Sequence, residues 1–126
     1  MKLKIEKPIF EIPILDKKGN RIAMVKASPM SPKELNDLIM QSKKVVWERG
    51  QRFEESDLYA YRAGKIDKTI LDWQGFEDEN GHPLECNFKN KELVNAMYPI
   101  IIDFNFSEIE KLQKEITDQI EIEIKN

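Results

Sequence analysis

Cys86 follows His82 by four residues, the spacing that would bring a thiol and an imidazole together on one helix face. Such a pair is the start of a nucleophile and its base. Pro83 lies between them and disfavours a helix there, and no glycine-rich oxyanion turn flanks the cysteine. Cys86 therefore reads as a small, half-buried apolar side chain and His82 as an exposed turn residue. Asp78-x-Asn80-Gly81 invites comparison with a calcium loop. An EF-hand places an acidic ligand five residues before its glycine and a bidentate Glu at the end of the loop, and those places hold Phe76 and Asn87. The same residues are good turn formers, so Asp78, Asn80 and Gly81 are assigned to a tight reversal, and Pro83 stops a helix. Glu77, Asp78 and Glu79 adjoin in a loop, where solvent keeps carboxylates ordinary and gives no acid–base pair. No phosphate-binding, dinucleotide, nucleophile-elbow or zinc-protease motif occurs, and no enzymatic activity, cofactor, metal or small-molecule substrate is expected.

Composition narrows the class further. The 126 residues make one domain, 1–126, with 40% apolar and 34% charged side chains and a formal net charge of -3. A disordered chain would be less apolar, and a nucleic-acid coat more basic. Lys43, Lys44, Arg49 and Arg52 do gather around Trp47 and Phe53, but Glu48, Glu54 and Glu55 interrupt the patch. Nucleic acid is therefore not an expected partner. One cysteine rules out an internal disulfide, and neither a secretory apolar run nor a membrane-length apolar stretch is present, so a cytoplasmic location is expected. Charge is uneven: residues 1–63 carry 13 basic and 9 acidic groups, residues 64–126 carry 7 and 14. That polarity could steer copies of the chain head to tail, or guide a charged partner to one end.

The elements that would hold these residues are α+β: an N-terminal β-hairpin packed on about four helices. Phe10, Ile12 and Ile14 alternate, Asp16-Lys17-Lys18-Gly19-Asn20 supplies a turn, and alternation resumes from Arg21 to Ala27. Residues 1–27 are thus the hairpin region, with Pro13 marking an edge strand. Residues 31–126 read as mainly helical around a loop at 74–90. Ser31, Pro32 and Glu34 form a helix start, and Leu35, Leu38, Ile39, Val45 and Val46 carry that helix to about Arg49, where Gly50 can end it. A second helix runs from Ser56 through Tyr59, Ala63, Ile66, Ile70 and Trp73, or as two shorter helices divided at Gly64. A third begins at Lys91, capped by Asn90, and Pro99 either kinks it or starts the next. Ile102-Asp103-Phe104-Asn105-Phe106 alternates like a strand, but Ile102, Phe106, Ile109, Leu112, Ile116 and Ile120 form a longer helical stripe, which is preferred. Ile120 to Ile124 alternates again, as a frayed end or a strand. No internal repeat is evident.

Aromatic residues crowd the second half: Trp73, Phe76, Phe88, Tyr98, Phe104 and Phe106. A domain this small hides them all with difficulty, and any left in a contiguous patch mark a protein–protein surface. Trp73, Phe76, Tyr98 and Phe104 are the candidate partner-binding residues. Trp73 and Phe76 also have a structural reading, as anchors of the turn to the helices.

The run Leu71-Asp72-Trp73-Gln74-Gly75-Phe76-Glu77-Asp78-Glu79-Asn80-Gly81-His82-Pro83-Leu84 resembles a pattern of small phage and prophage tail-assembly chaperones. In these a Trp-x-Gly element leads into an Asp-x-x-Gly turn, then Pro and an apolar residue, then an Asn-capped helix with a proline soon after. Asn90, Leu93 and Tyr98-Pro99 look like those later features. The likeness covers about a quarter of the chain. It implies a non-enzymatic morphogenesis protein that binds the helical tape-measure protein, or another tail protein, before the tail tube assembles. It also implies that Gly75, Asp78, Gly81, Pro83 and Asn90 serve the motif's backbone geometry. A structural head–tail or tail-completion subunit, forming a homo-oligomeric ring, is the alternative.

Overall fold

The computed structural model describes residues 2, 3 and 5–125, with side chains through Ile120. β1 (Phe10–Leu15) and β2 (Arg21–Ala27) form the expected antiparallel hairpin, and β1 lies at a sheet edge as Pro13 requires. α1 (Pro32–Gln41) starts on the capping box: Ser31 Oγ accepts from the Glu34 amide at 3.2 Å, and the Glu34 carboxylate accepts from the Ser31 amide at 3.1 Å. Lys7 Nζ sits 2.6 Å from the same carboxylate. That hydrogen bond, with the Ser31 amide, holds Glu34 down at about 2.

α1 ends at Gln41, not near Arg49. The Ser42 amide and hydroxyl both donate to the Leu38 carbonyl, closing the helix. Lys43–Glu48 then forms β3, which pairs with β4 (Gln51–Ser56) through a two-residue turn at Arg49 and Gly50, with φ of 50° and 76°. Positive φ at both turn positions is the hairpin geometry that matches strand twist. Val45, Val46 and Trp47, branched or aromatic, suit the pleat better than a helix. Gly50 thus turns a hairpin instead of ending a helix.

α2 (Leu58–Thr69) starts on Asp57, whose Oδ1 accepts from the Ala60 amide, and runs unbroken through Gly64. That glycine is a close approach: a Cβ there would collide with the Leu38 side chain of α1. At Ile70 the backbone becomes extended and β5 (Ile70–Gln74) joins β2, giving an antiparallel sheet of order β1-β2-β5. Ile70 and Trp73 are therefore strand residues, not the end of a helix. Ile12, Val25 and Trp73 lie in register across the three strands and are all buried. They meet Ile66 of α2 and Val94, Ile102 and Ile109 of the last two helices in one core.

α3 (Phe88–Met97) is capped by Asn87, whose Oδ1 accepts from the Asn90 amide at 2.8 Å. The cap lies three residues before Asn90, so the expected start at Lys91 is corrected by one turn. α4 (Pro99–Lys125) opens on its proline and continues as a helix through the 102–106 and 120–124 stretches where strand patterns competed. The described residues thus form a hairpin-based α+β fold with four helices. Within 31–126, expected to be mainly helical, three strands stand: β3 and β5 replace parts of the two expected helices, and β4 fills the stretch between them. No helix among the described residues is long and apolar enough to cross a membrane.

Candidate interaction site

The Trp73–Leu84 segment is a closed structural unit. The Trp73 indole Nε1 donates to the Leu84 carbonyl at 2.8 Å, and its ring meets Phe76 edge-on with centroids 5.1 Å apart. Only 6% of Trp73 is exposed, and Phe76 packs half-buried against the core. Gly75 has φ +92°, and a Cβ there would stand 2.5 Å from the Ile22 carbonyl oxygen and 2.8 Å from Ala23 Cα. The chain can leave β5 this close to β2 only without a side chain.

Asp78 organises the turn that follows. Its Oδ1 accepts from the Asn80 and His82 amides, both at 2.9 Å, while the Gly81 amide donates to the Asp78 carbonyl and the Asp78 amide to the His82 carbonyl. Glu77 and Pro83 face each other as a single antiparallel bridge, and the Leu84 amide returns to the Phe76 carbonyl at 2.8 Å. Asn90 contributes from the helix, donating Nδ2 to the Glu85 carbonyl at 2.7 Å. Asp16-Lys17-Lys18-Gly19-Asn20 in the first hairpin makes the same four hydrogen bonds at the same positions. These amides hold the Asp16 carboxyl below its ordinary range, the Asn20 amide most of all. A five-residue Asp-x-x-Gly-x turn is thus used twice, a local repeat visible in the sequence once its spacing is compared. Cys86 packs against the core beside this unit, and burial pushes its thiol above the ordinary value, away from thiolate chemistry.

Tyr98 and Phe104 are exposed, and Phe104 lies one helical turn after the exposed Ile100. They are not brought together with Trp73 and Phe76, which point into the core. An apolar groove opens on another part of α4. Met30, Leu35, Tyr61, Phe106 and Ile109 line a groove of about 210 Å³ between the start of α1, α2 and α4. Lys65 stands at its rim with its Nζ 4.3 Å from the Phe106 ring centroid, opposite Glu110. Arg62 holds the neighbouring helices, donating to Asn95 at 2.8 Å and pairing with Asp103 at 3.0 Å. Lys91 ties α3 to α2 through Asp67, with its buried Nζ 3.1 Å from the carboxylate.

From Ile109 the stripe continues at Leu112, Ile116 and Ile120, all on one side of α4. Ile109 is buried and Leu112 half-buried, whereas every residue from Gln113 to Ile120 is exposed. The helix therefore carries an apolar seam out of the core into solvent. These residues belong to the helical stripe legible in the sequence, but nothing in their spacing says where along the helix the core ends. Comparison with protein-family models, curated proteins and solved structures found no match to this chain.

Proposed function

We propose that this protein is a phage or prophage tail-assembly chaperone that acts in the host cytoplasm by holding an amphipathic helical segment of the tape-measure protein. The observation that carries the reading is the α4 seam, which leaves the core at Ile109 and stays exposed at Ile116 and Ile120, with no element among the described residues covering them. A helix laid along it would seat one large apolar side chain in the groove beside Phe106 and bury Leu112, Ile116 and Ile120 under its own apolar stripe. Lys65 and Glu110 at the groove and Gln113, Glu115, Thr117 and Gln119 flanking the seam provide a polar rim, which favours later release to the tail tube. Tyr98 and Phe104 offer a second exposed contact area on the α3–α4 corner.

The likeness of the Trp73–Pro99 run to tail-assembly chaperones supplies the biological setting, and the tightly bonded Trp73–Leu84 unit explains physically why such a run would hold its residue types. Binding here consists of contact and shielding, with no bond made or broken. Co-expression with the tape-measure protein encoded nearby tests it. The expected result is a soluble complex. Failure to form a complex, together with no gain in tape-measure solubility, overturns the reading.

A further inference from the structure

We propose that the β3–β4 arm is a self-association element: the free edge of β3 pairs antiparallel with β3 of a second copy, making a four-stranded sheet across a two-fold axis. Among the described residues the arm pairs with no other strand, and all its residues except the half-buried Val46 are exposed, Trp47 at 65%. At its base the Asp57 amide donates to the Ser42 carbonyl at 2.6 Å. A two-stranded hairpin is marginal in water, and added strands are what stabilise it.

The other sheet edges are guarded. β1 carries Pro13, and on β5 the Trp73 amide is turned to the Asp72 carboxylate at 2.9 Å. β4 places Arg52, Glu54 and Glu55 along its strand, charges of the kind that blunt an edge. β3 has no proline, and its charges, Lys43, Lys44 and Glu48, stand at its two ends and leave an apolar centre, Val45-Val46-Trp47. In a two-residue hairpin the pair flanking the turn, Glu48 and Gln51, bonds inward, which turns the backbone groups of Val45 and Trp47 to the open edge.

A two-fold axis through an antiparallel pair sets one residue opposite itself, because opposed residues share a face. With Val46 on the axis, Val45 of each copy meets Trp47 of the other, and Lys44 meets Glu48. Apolar residues thus face apolar ones and each cation faces an anion, the two kinds of cross-strand pair that stabilise a sheet. This charge complementarity selects a second copy of the chain as the occupant. Within one copy Lys44 faces Glu55 on β4, on the other side of the strand from the open edge.

Light scattering on the eluting full-length chain, with circular dichroism as the folding control, is the test. The wild type is expected at twice the 14.8 kDa chain mass. Lys44→Glu and Glu48→Lys should each halve that mass, since each sets like charges opposite one another. Mixing the two variants should restore the doubled mass, because both cross-pairs then become opposite in sign. In a Cys86→Ser background, Val46→Cys should form an intermolecular disulfide on mild oxidation and Phe53→Cys should not. A monomeric wild type, a mixture that stays monomeric, or cross-linking through position 53 instead of 46 overturns the proposal.

Discussion

Gly75 gives a sharp test of how the Trp73 unit is held. Gly75→Ala and Gly81→Ala place the same methyl at similar backbone angles, φ +92° and +78°, in different surroundings. A left-handed conformation costs an L-residue about 1–2 kcal/mol, offset by about 0.4–1 kcal/mol from the stiffer unfolded chain, so Gly81→Ala should cost about 1 kcal/mol. The nearest atom to its new Cβ is a flexible carboxylate oxygen of Glu77 at 3.9 Å, which adds nothing. At Gly75 the Cβ meets backbone: the Ile22 carbonyl at 2.5 Å and Ala23 Cα at 2.8 Å. Neither can move without displacing β2, the central strand. Overpacking of this kind adds about 1–3 kcal/mol, for a total of about 2–4 kcal/mol. Whole-chain stability is on the order of 6–19 kcal/mol at about 0.05–0.15 kcal/mol per residue, so the loss is readily seen in urea unfolding followed by circular dichroism. Equal losses at the two positions would refute the argument that β5 leaves the sheet through a gap only glycine fits.

Two other substitutions probe buried and capping polar groups. Asn105 is fully buried, its Nδ2 donates to the Ile101 carbonyl, and its Oδ1 has no partner among the described residues. An unmet buried acceptor costs about 1–3 kcal/mol, so Asn105→Leu should raise the melting temperature; a lower one would show that the amide is needed. Glu34 sits at about 2 against an ordinary 4.5, so its charged form favours the fold. That contribution is complete above about pH 4.5 and is lost as pH falls towards about 2. Glu34→Gln should therefore cost about 1 kcal/mol at neutral pH and converge with the wild type in acid, as urea midpoints across the pH range would show. A difference that stays constant with pH would contradict the capping role.

The first hairpin and the start of α1 were legible because each rests on local chemistry: period-two alternation around Asp16–Asn20, and Ser31-Pro32 with Glu34. The long α4 stripe was legible because it spans many turns. The end of α1 was not, since Leu35, Leu38, Ile39, Val45 and Val46 satisfy helical spacing although the last two lie in β3. Arg49-Gly50 between branched and aromatic runs was the available hairpin signal, weakened because arginine seldom takes positive φ. Ile70 and Trp73 misled for a similar reason: three residues apart, they fit a helix face, yet the β2 register decides their fate. Asn87 and Asn90 are equally good caps by type, and only the fold selects the first. Of the candidate contact residues, Trp73 went to the core because its indole could reach the Leu84 carbonyl, a partner far along the loop that no local pattern reveals.

The proposed function requires the outer part of α4 to receive a helical partner. Amide hydrogen exchange of this chain, alone and mixed with amphipathic helical segments of a tape-measure protein, measures it directly. Slowed exchange along α4 between Leu112 and Ile120, abolished by Ile116→Glu with Ile120→Glu, is the predicted result. Protection confined to other elements, or unchanged by that double substitution, would contradict it.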